Sequence, residues 1–378
     1  MKQFSWLCKR TTGLALGAML VLAGCASSTS KPQPGPLPAL SGGAVLNKVW
    51  TARLGEVTTP LQAAVIGNRV ILASTQGLVV ELDATTGSEV WRRQLDETLV
   101  AGVGSDGKRH AVLTAGNELV VLQSDRELWR QRLSAQSFTA PLVAGERVFV
   151  QTADRSLAAY DGASGQRLWG LQRNADPLVL RQSGVLVAVG DTLLAGNGGR
   201  LSAIAPLNGQ LRWETLIGSS RGTNEVERLV DLIAGVSRQG DVVCVRSFQT
   251  AVGCVDAARG QALWTRPSQG HKGLDGDDTR VFGVDSDSKL QAWMRQDGQP
   301  AWSEDQYRFR DLTAPRVWGA VVAFGDGQGW VHLLSREQGR SLQRAATDGS
   351  PVVLQPVVAG RTLVTVNRSG LVTGWRAE

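Results

Sequence analysis

The sequence predicts an all-β fold, an eight-bladed β-propeller of four-stranded antiparallel blades, and three observations carry that prediction. First, a unit ending in Trp recurs: SDRELW to Trp129, ASGQRLW to Trp169, LNGQLRW to Trp213, ARGQALW to Trp264 and QDGQPAW to Trp302. The steps are roughly 40 residues, the period of a propeller blade rather than of a helical repeat. Second, a third-strand signature appears eight times, from Leu78, Leu119, Leu157, Leu201, Ala251, Leu290, Trp330 and Leu371. Third, the last unit lacks room for a fourth strand, while NKVWTARL, with Trp50 in the anchor position, stands unmatched near the start. Pairing these ends closes the ring and removes the exposed edges that make open sheets associate.

The fullest unit, Arg69 to Trp91, shows how each blade is built. Alternating β-branched residues separated by Gly-containing gaps predict strands at Leu61–Val65, Val70–Ala73, Leu78–Leu82 and Glu89–Gln94. The eighth unit predicts strands at Val352–Val358, Thr362–Val366 and Leu371–Trp375, and Trp375, on a third strand, is not a ninth anchor. In a degenerate seventh copy, EQGRSLQ, Leu342 is read as standing where Trp is expected. The Trp side chains are expected between blades, each giving its indole N–H to a backbone partner, and not as a ligand cage.

The ends read differently. Lys2, Lys9 and Arg10 precede a short apolar run, Leu14 to Leu22, too short to span a bilayer. It ends in Leu22-Ala23-Gly24-Cys25, which resembles a bacterial lipobox and implies cleavage before Cys25 and lipidation of its thiol. Ala26, rather than Asp, follows the cysteine, which favours sorting to the outer membrane. Residues 1–24 are thus read as a lipoprotein signal, 25–43 as a lipidated Ser/Pro/Gly-rich tether, and 44–378 as the propeller.

Composition narrows the function. The chain is 42% hydrophobic and 20% charged, an ordinary globular balance. Removing the three signal cations from the formal charge of +6 leaves about +3, interspersed and without a basic run, so nucleic-acid binding is not expected. Cys244 and Cys254 remain after processing, symmetric about the turn of one predicted hairpin. A cross-strand disulfide and two buried thiols both fit that spacing. His110, His271 and His332 fall in three different blades. Asp275, Asp277 and Asp278, like Asp285 and Asp287, lack a calcium-loop signature and read as solvated turns.

What breaks the repeat is more informative. Two joins between blades are long, around 175–184 and 217–235. Both link the fourth strand of one blade to the first of the next, so both emerge on one face, side by side. The first carries Leu178, Val179, Leu180 and Arg181; the second carries Glu225, Glu227, Arg228 and Asp231. Apolar anchors with Arg and surrounding charge have the composition of a protein-binding hot spot. The alternative is that Leu178 to Leu180 simply lead into the next strand and pack inside.

The repeat ALD-x-x-TG-x-x-x-W is similar to the pyrroloquinoline-quinone (PQQ) propeller repeat, which raises a quinoprotein dehydrogenase as one alternative. The adjacent cysteine pair expected of such enzymes is missing from the sequence. Lipobox, tether and eight-unit ring together resemble the propeller-lipoprotein family of the outer-membrane β-barrel assembly (Bam) machinery, over essentially the whole chain. PLVLR at Pro177–Arg181 resembles that family's L-x-L-R segment, and EVERLVD at Glu225–Asp231 its E-I-D-R-L-S-D segment. The resemblance implies a non-catalytic scaffold without cofactor or metal, anchored in the outer membrane and facing the periplasm. It implies contact with the POTRA domains of BamA through Leu178, Leu180, Arg181 and Asp231, membership of the Bam complex, and contact with nascent outer-membrane proteins. The family often has a further acid two positions after the last Asp; here Ile233 stands there. The Cys244–Cys254 pair is also outside the family pattern. A different envelope lipoprotein, binding cell wall or polysaccharide, is the other alternative.

Overall fold

The repeated strands close into a ring. The computed structural model describes residues 32–172, 179–219 and 229–377. From Pro34 onward the chain forms one unit. Seven four-stranded sheets follow one another, spanning residues 64–94, 99–132, 142–171, 186–216, 232–267, 275–304 and 316–346. The eighth combines Val357–Ala359, Thr362–Val366 and Leu371–Arg376 with Asn47–Arg53, which pairs antiparallel to Leu371–Arg376 as its outer strand. Closure by the N-terminal strand is therefore as the sequence predicts.

In blade 1 the strands are Ala64–Ile66, Arg69–Ala73, Leu78–Asp83 and Glu89–Gln94. The inner strand starts later than the expected Leu61 for a local reason. The Gln62 carbonyl accepts the Val103 N–H of blade 2 at 2.9 Å, and Leu61 is fully buried in the cluster between the two blades. Those residues serve the joint between blades instead of the blade's own ladder.

The TG-x-x-x-W motif is the device that joins blades. The turn between third and outer strands is first capped by its Asp: Asp83 Oδ1 accepts the N–H groups of Thr85 and Thr86, and Asp161 Oδ1 those of Ala163 and Ser164. The Gly that follows lies flat against the indole of the preceding blade. A Cβ added at Gly165 (φ 74°) would fall 2.6 Å from Trp129, and one at Gly260 (φ 70°) 2.5 Å from Trp213. Positive φ and zero clearance both demand glycine there. The same Trp then donates its indole N–H to a carbonyl of the next blade's turn: Trp129 to Gly162 at 3.0 Å, Trp213 to Ala257 at 3.1 Å and Trp264 to Arg295 at 2.7 Å. Trp50 closes the circle by donating to Ala84 of blade 1 at 2.9 Å.

Two joints depart from this pattern, each with a cause. Blade 2 turns through Ser124 and Asp125 without a Gly seat, and Trp91 donates to Glu81 of its own blade at 2.8 Å instead. Blade 7 has no neighbouring turn to reach, because the chain's two ends meet in blade 8. The register also corrects the reading of Leu342. Gln343 pairs with Leu333 as Trp302 pairs with Ala292, so Gln343 holds the anchor position and Leu342 is the bulged residue before it. Leu342 packs instead with Ala44 and Leu46 against the core between blades 7 and 8.

Trp264→Ala should lower unfolding stability by about 3–5 kcal/mol, the usual cost of deleting a buried aromatic, and Trp91→Ala by distinctly less. Urea unfolding of the two variants checks this. Equal losses would show that the bond to the next blade's turn is not what matters.

Candidate protein-docking site

Described parts of the two long joins, 179–185 and 229–231, do meet on one face. Asp231 holds them together. Its Oδ2 accepts the Leu180 backbone N–H at 2.9 Å, and its Oδ1 accepts Arg155 Nη1 at 2.8 Å. Arg155 comes from the turn between the second and third strands of blade 3, at a φ of 62°. A left-handed arginine costs roughly 1–2 kcal/mol, and here its buried side chain supplies the cation beneath the joins. The blades on either side lock the same segment: Gly184 bridges Ile233, Gly184 N–H donates to Thr139 Oγ1 at 2.9 Å, and Ala234 N–H donates to the Ser183 carbonyl at 2.9 Å.

The first join also crosses the mouth of the axial channel. Gln182 Nε2 donates to the His271 carbonyl of the join into blade 6 at 2.6 Å, and Ser183 Oγ donates to Gln62 Oε1 of the join into blade 1 at 3.1 Å. The channel beneath has a volume of about 840 Å³ and is lined by seven of the blades and by the join into blade 6. Gln355, in the join into blade 8, donates to the Pro315 carbonyl of the join into blade 7 at 2.7 Å.

Of the residues expected to form a docking patch, four lie in this arrangement; Val179 is half-buried beside Leu180. Leu180 is half-buried, Arg181 is exposed with its guanidinium 5.5 Å from the centre of the Phe138 ring, and Asp231 is half-buried in the clamp. Leu178, Glu225, Glu227 and Arg228 lie outside the described residues, as does Cys25. Ile233 is buried, in the inner strand of blade 5. Arg155, Gln182 and Ser183 were not singled out by sequence, since a turn arginine and a loop Gln-Ser carry no pattern of their own.

Cys244 and Cys254 are disulfide-bonded, on directly opposed positions of neighbouring strands and fully buried. Arg295 Nη1 lies 3.3 Å from the Cys244 sulfur.

The acidic clusters differ from expectation only in part: Asp278 is exposed, as expected. Asp275 and Asp277 are buried, not solvated. Asp275 accepts the Val317 N–H at 2.7 Å and faces Arg316 at 3.5 Å; burial nonetheless pushes its carboxyl up. Burial also pushes Asp277 up, but the N–H groups of Thr279 and Arg280 outweigh it and hold that carboxyl below its ordinary value. Asp285 takes Ser268 Oγ at 2.9 Å and Gln291 Nε2 at 2.7 Å. These carboxylates are spent on the protein's own donors, and no group of three or more His, Cys, Asp or Glu converges among the described residues. That donor set does not fit a quinone held with a cation.

Fold and repeat define a closed β-propeller of the PQQ-like class. The family described as "Outer membrane protein assembly factor BamB" matches residues 46–101 and 76–304. The BamB of Burkholderia pseudomallei is 36% identical over 95% of this chain and 96% of its own length. That of Bordetella pertussis is 29% identical over 97% and 96%. The chain belongs to the BamB family of outer membrane protein assembly factors. Among solved structures, BamB from Moraxella catarrhalis superposes with a TM-score of 0.80 at 25% identity, over 88% of this chain and all of the other. A quinohemoprotein alcohol dehydrogenase from Comamonas testosteroni gives 0.67 at 14% identity, a likeness of fold alone.

Asp231→Ala should release the Leu180 segment without unfolding the ring. Exchange at the Leu180 amide should accelerate at least tenfold, as expected on loss of a charge-assisted bond of about 1.5–3 kcal/mol, beyond the fall in global stability that losing a partner of buried Arg155 brings. Unchanged Leu180 protection would mean the clamp does not hold the join.

Proposed function

We propose that this chain is a non-catalytic scaffold lipoprotein that binds the POTRA domains of BamA and assists insertion of β-barrel proteins into the outer membrane. The observation that carries the docking site is the Asp231 clamp, which fixes two neighbouring joins as one surface before any partner arrives. Preorganisation of that kind lowers the ordering cost of binding. Leu180 and Arg181 are the contact residues of this surface, together with Leu178, and Asp231 acts mainly by holding them. Ile233, buried in a strand, takes no part.

A lipid on Cys25 would place the scaffold at the outer membrane with the propeller in the periplasm. Two or more acyl chains, at about 0.8 kcal/mol per buried methylene, give stable anchoring, which raises the effective concentration of a modest-affinity partner. Nascent barrels are the remaining partner. Exposed Val90, Leu128, Leu168 and Leu263 on the outer strands support transient contact with their strands.

Calorimetry of the processed protein with BamA POTRA domains tests this reading. Leu178→Ser/Arg181→Glu should weaken binding at least tenfold, while Arg361→Glu, on the opposite face, should leave it intact. No binding by the folded wild type would overturn the scaffold reading in favour of a glycan-binding lipoprotein.

A further inference from the structure

The stretch expected to be tether is in part docked. Gly35 N–H donates to the Arg308 carbonyl at 2.8 Å, and the buried Arg310 donates from Nη1 to the Gly35 carbonyl at 2.7 Å. Arg310 is itself fixed by Asp326 at 2.8 Å and Gln328 at 2.6 Å, so the strap meets a rigid donor. Further along, Arg344 Nη1 donates to the carbonyl of the buried Pro38 at 2.6 Å. Ser41 donates both its N–H and its hydroxyl to the Ser341 carbonyl, each at 2.9 Å. Pro34, Pro36 and Pro38 restrict φ along this stretch, which lowers the entropy lost on docking.

The strap has a direction. Arg308 and Arg310 belong to the join between blades 6 and 7, on the face that carries the two long joins. Ser341 begins the outer strand of blade 7, at the opposite face. The chain therefore descends along blade 7, turns at Gly42 (φ 74°) and Gly43 (φ 89°), and returns as the outer strand of blade 8. This is also the one joint where the blade's Trp anchor is replaced, by Gln343.

We propose that the blade 7 groove is a binding site for the chain's own Pro-rich strap, which shortens the membrane leash and makes it leave from the face bearing the long joins. The proposal rests on the lipid-anchor reading above. Between Cys25 and Pro34 lie eight residues, which in any conformation span at most about 30 Å. With the strap released, the link would extend to Ala44 and its reach to about 60 Å. Docking thus holds the partner-binding face close to the bilayer surface instead of letting the propeller turn freely.

The test uses the full lipidated protein on phospholipid vesicles carrying a headgroup acceptor dye. A donor dye is placed either at Asp96→Cys, on the long-join face, or at Arg361→Cys, on the opposite face. Energy transfer should be several-fold higher from position 96. Gly35→Pro with Ser41→Pro and Arg344→Ala, which removes four of the strap's five bonds, should lower transfer and abolish the difference between faces. Equal transfer from both positions in the wild type, or no change on strap release, overturns the proposal. Failure to bind vesicles at all overturns the anchor reading and the leash with it; slow exchange of the Ser41 amide in that sample would show separately that the strap docks.

Discussion

The ring depends on one contact made over and over: an indole lying on a glycine of the next blade, with its N–H bonded to that blade's turn. Hydrophobic burial alone would let blades slide, because apolar contact has no direction. The indole bond supplies direction, and the glycine sets the depth. Trp129 on Gly165 with its bond to Gly162 is one instance, and Trp50 on Gly87 with its bond to Ala84 carries the circle through the junction of the chain ends. A blade cannot rotate without breaking a bond on one side and a close contact on the other.

A ring fixed in this way can hold loops at defined places. The two long joins share a face, and Asp231 turns adjacency into one surface by bonding Leu180 and Arg155 at once. The same face receives the N-terminal strap at Gly35 through Arg308 and Arg310. In the proposed function these features belong together. The scaffold carries no chemistry, so what it offers is position, and both the docking surface and the leash are set by buried arginines paired with carboxylates.

Much of the fold could be read from the residues. Period, blade number, closure by NKVWTARL and the inter-blade place of Trp follow from a motif whose parts are all local in sequence. The misreadings also have local causes. In the other copies with a turn Gly, the Trp stands four residues after it, and four after Gly339 stands Gln343, not Leu342. Asp275 and Asp277 look like solvated turn residues, yet Arg316 and Arg336, distant in sequence, draw them inside. The long joins were visible as breaks in the repeat. Their clamp was not, because Arg155 lies in an ordinary turn of blade 3 and meets Asp231 only once the ring is closed. The strap was hidden for the opposite reason: a Ser/Pro/Gly composition describes an extended chain equally well whether it is free or laid along a blade.

The central claim is that Asp231 serves docking by holding Leu180 and Arg181 rather than by touching the partner itself. A double-mutant cycle tests it most directly, with POTRA binding measured for Asp231→Ala, Arg181→Glu and the pair. The account predicts strong coupling, with Asp231→Ala weakening binding in the wild type but adding little once Arg181 is changed. Independent, additive losses would contradict it and make Asp231 a contact residue in its own right.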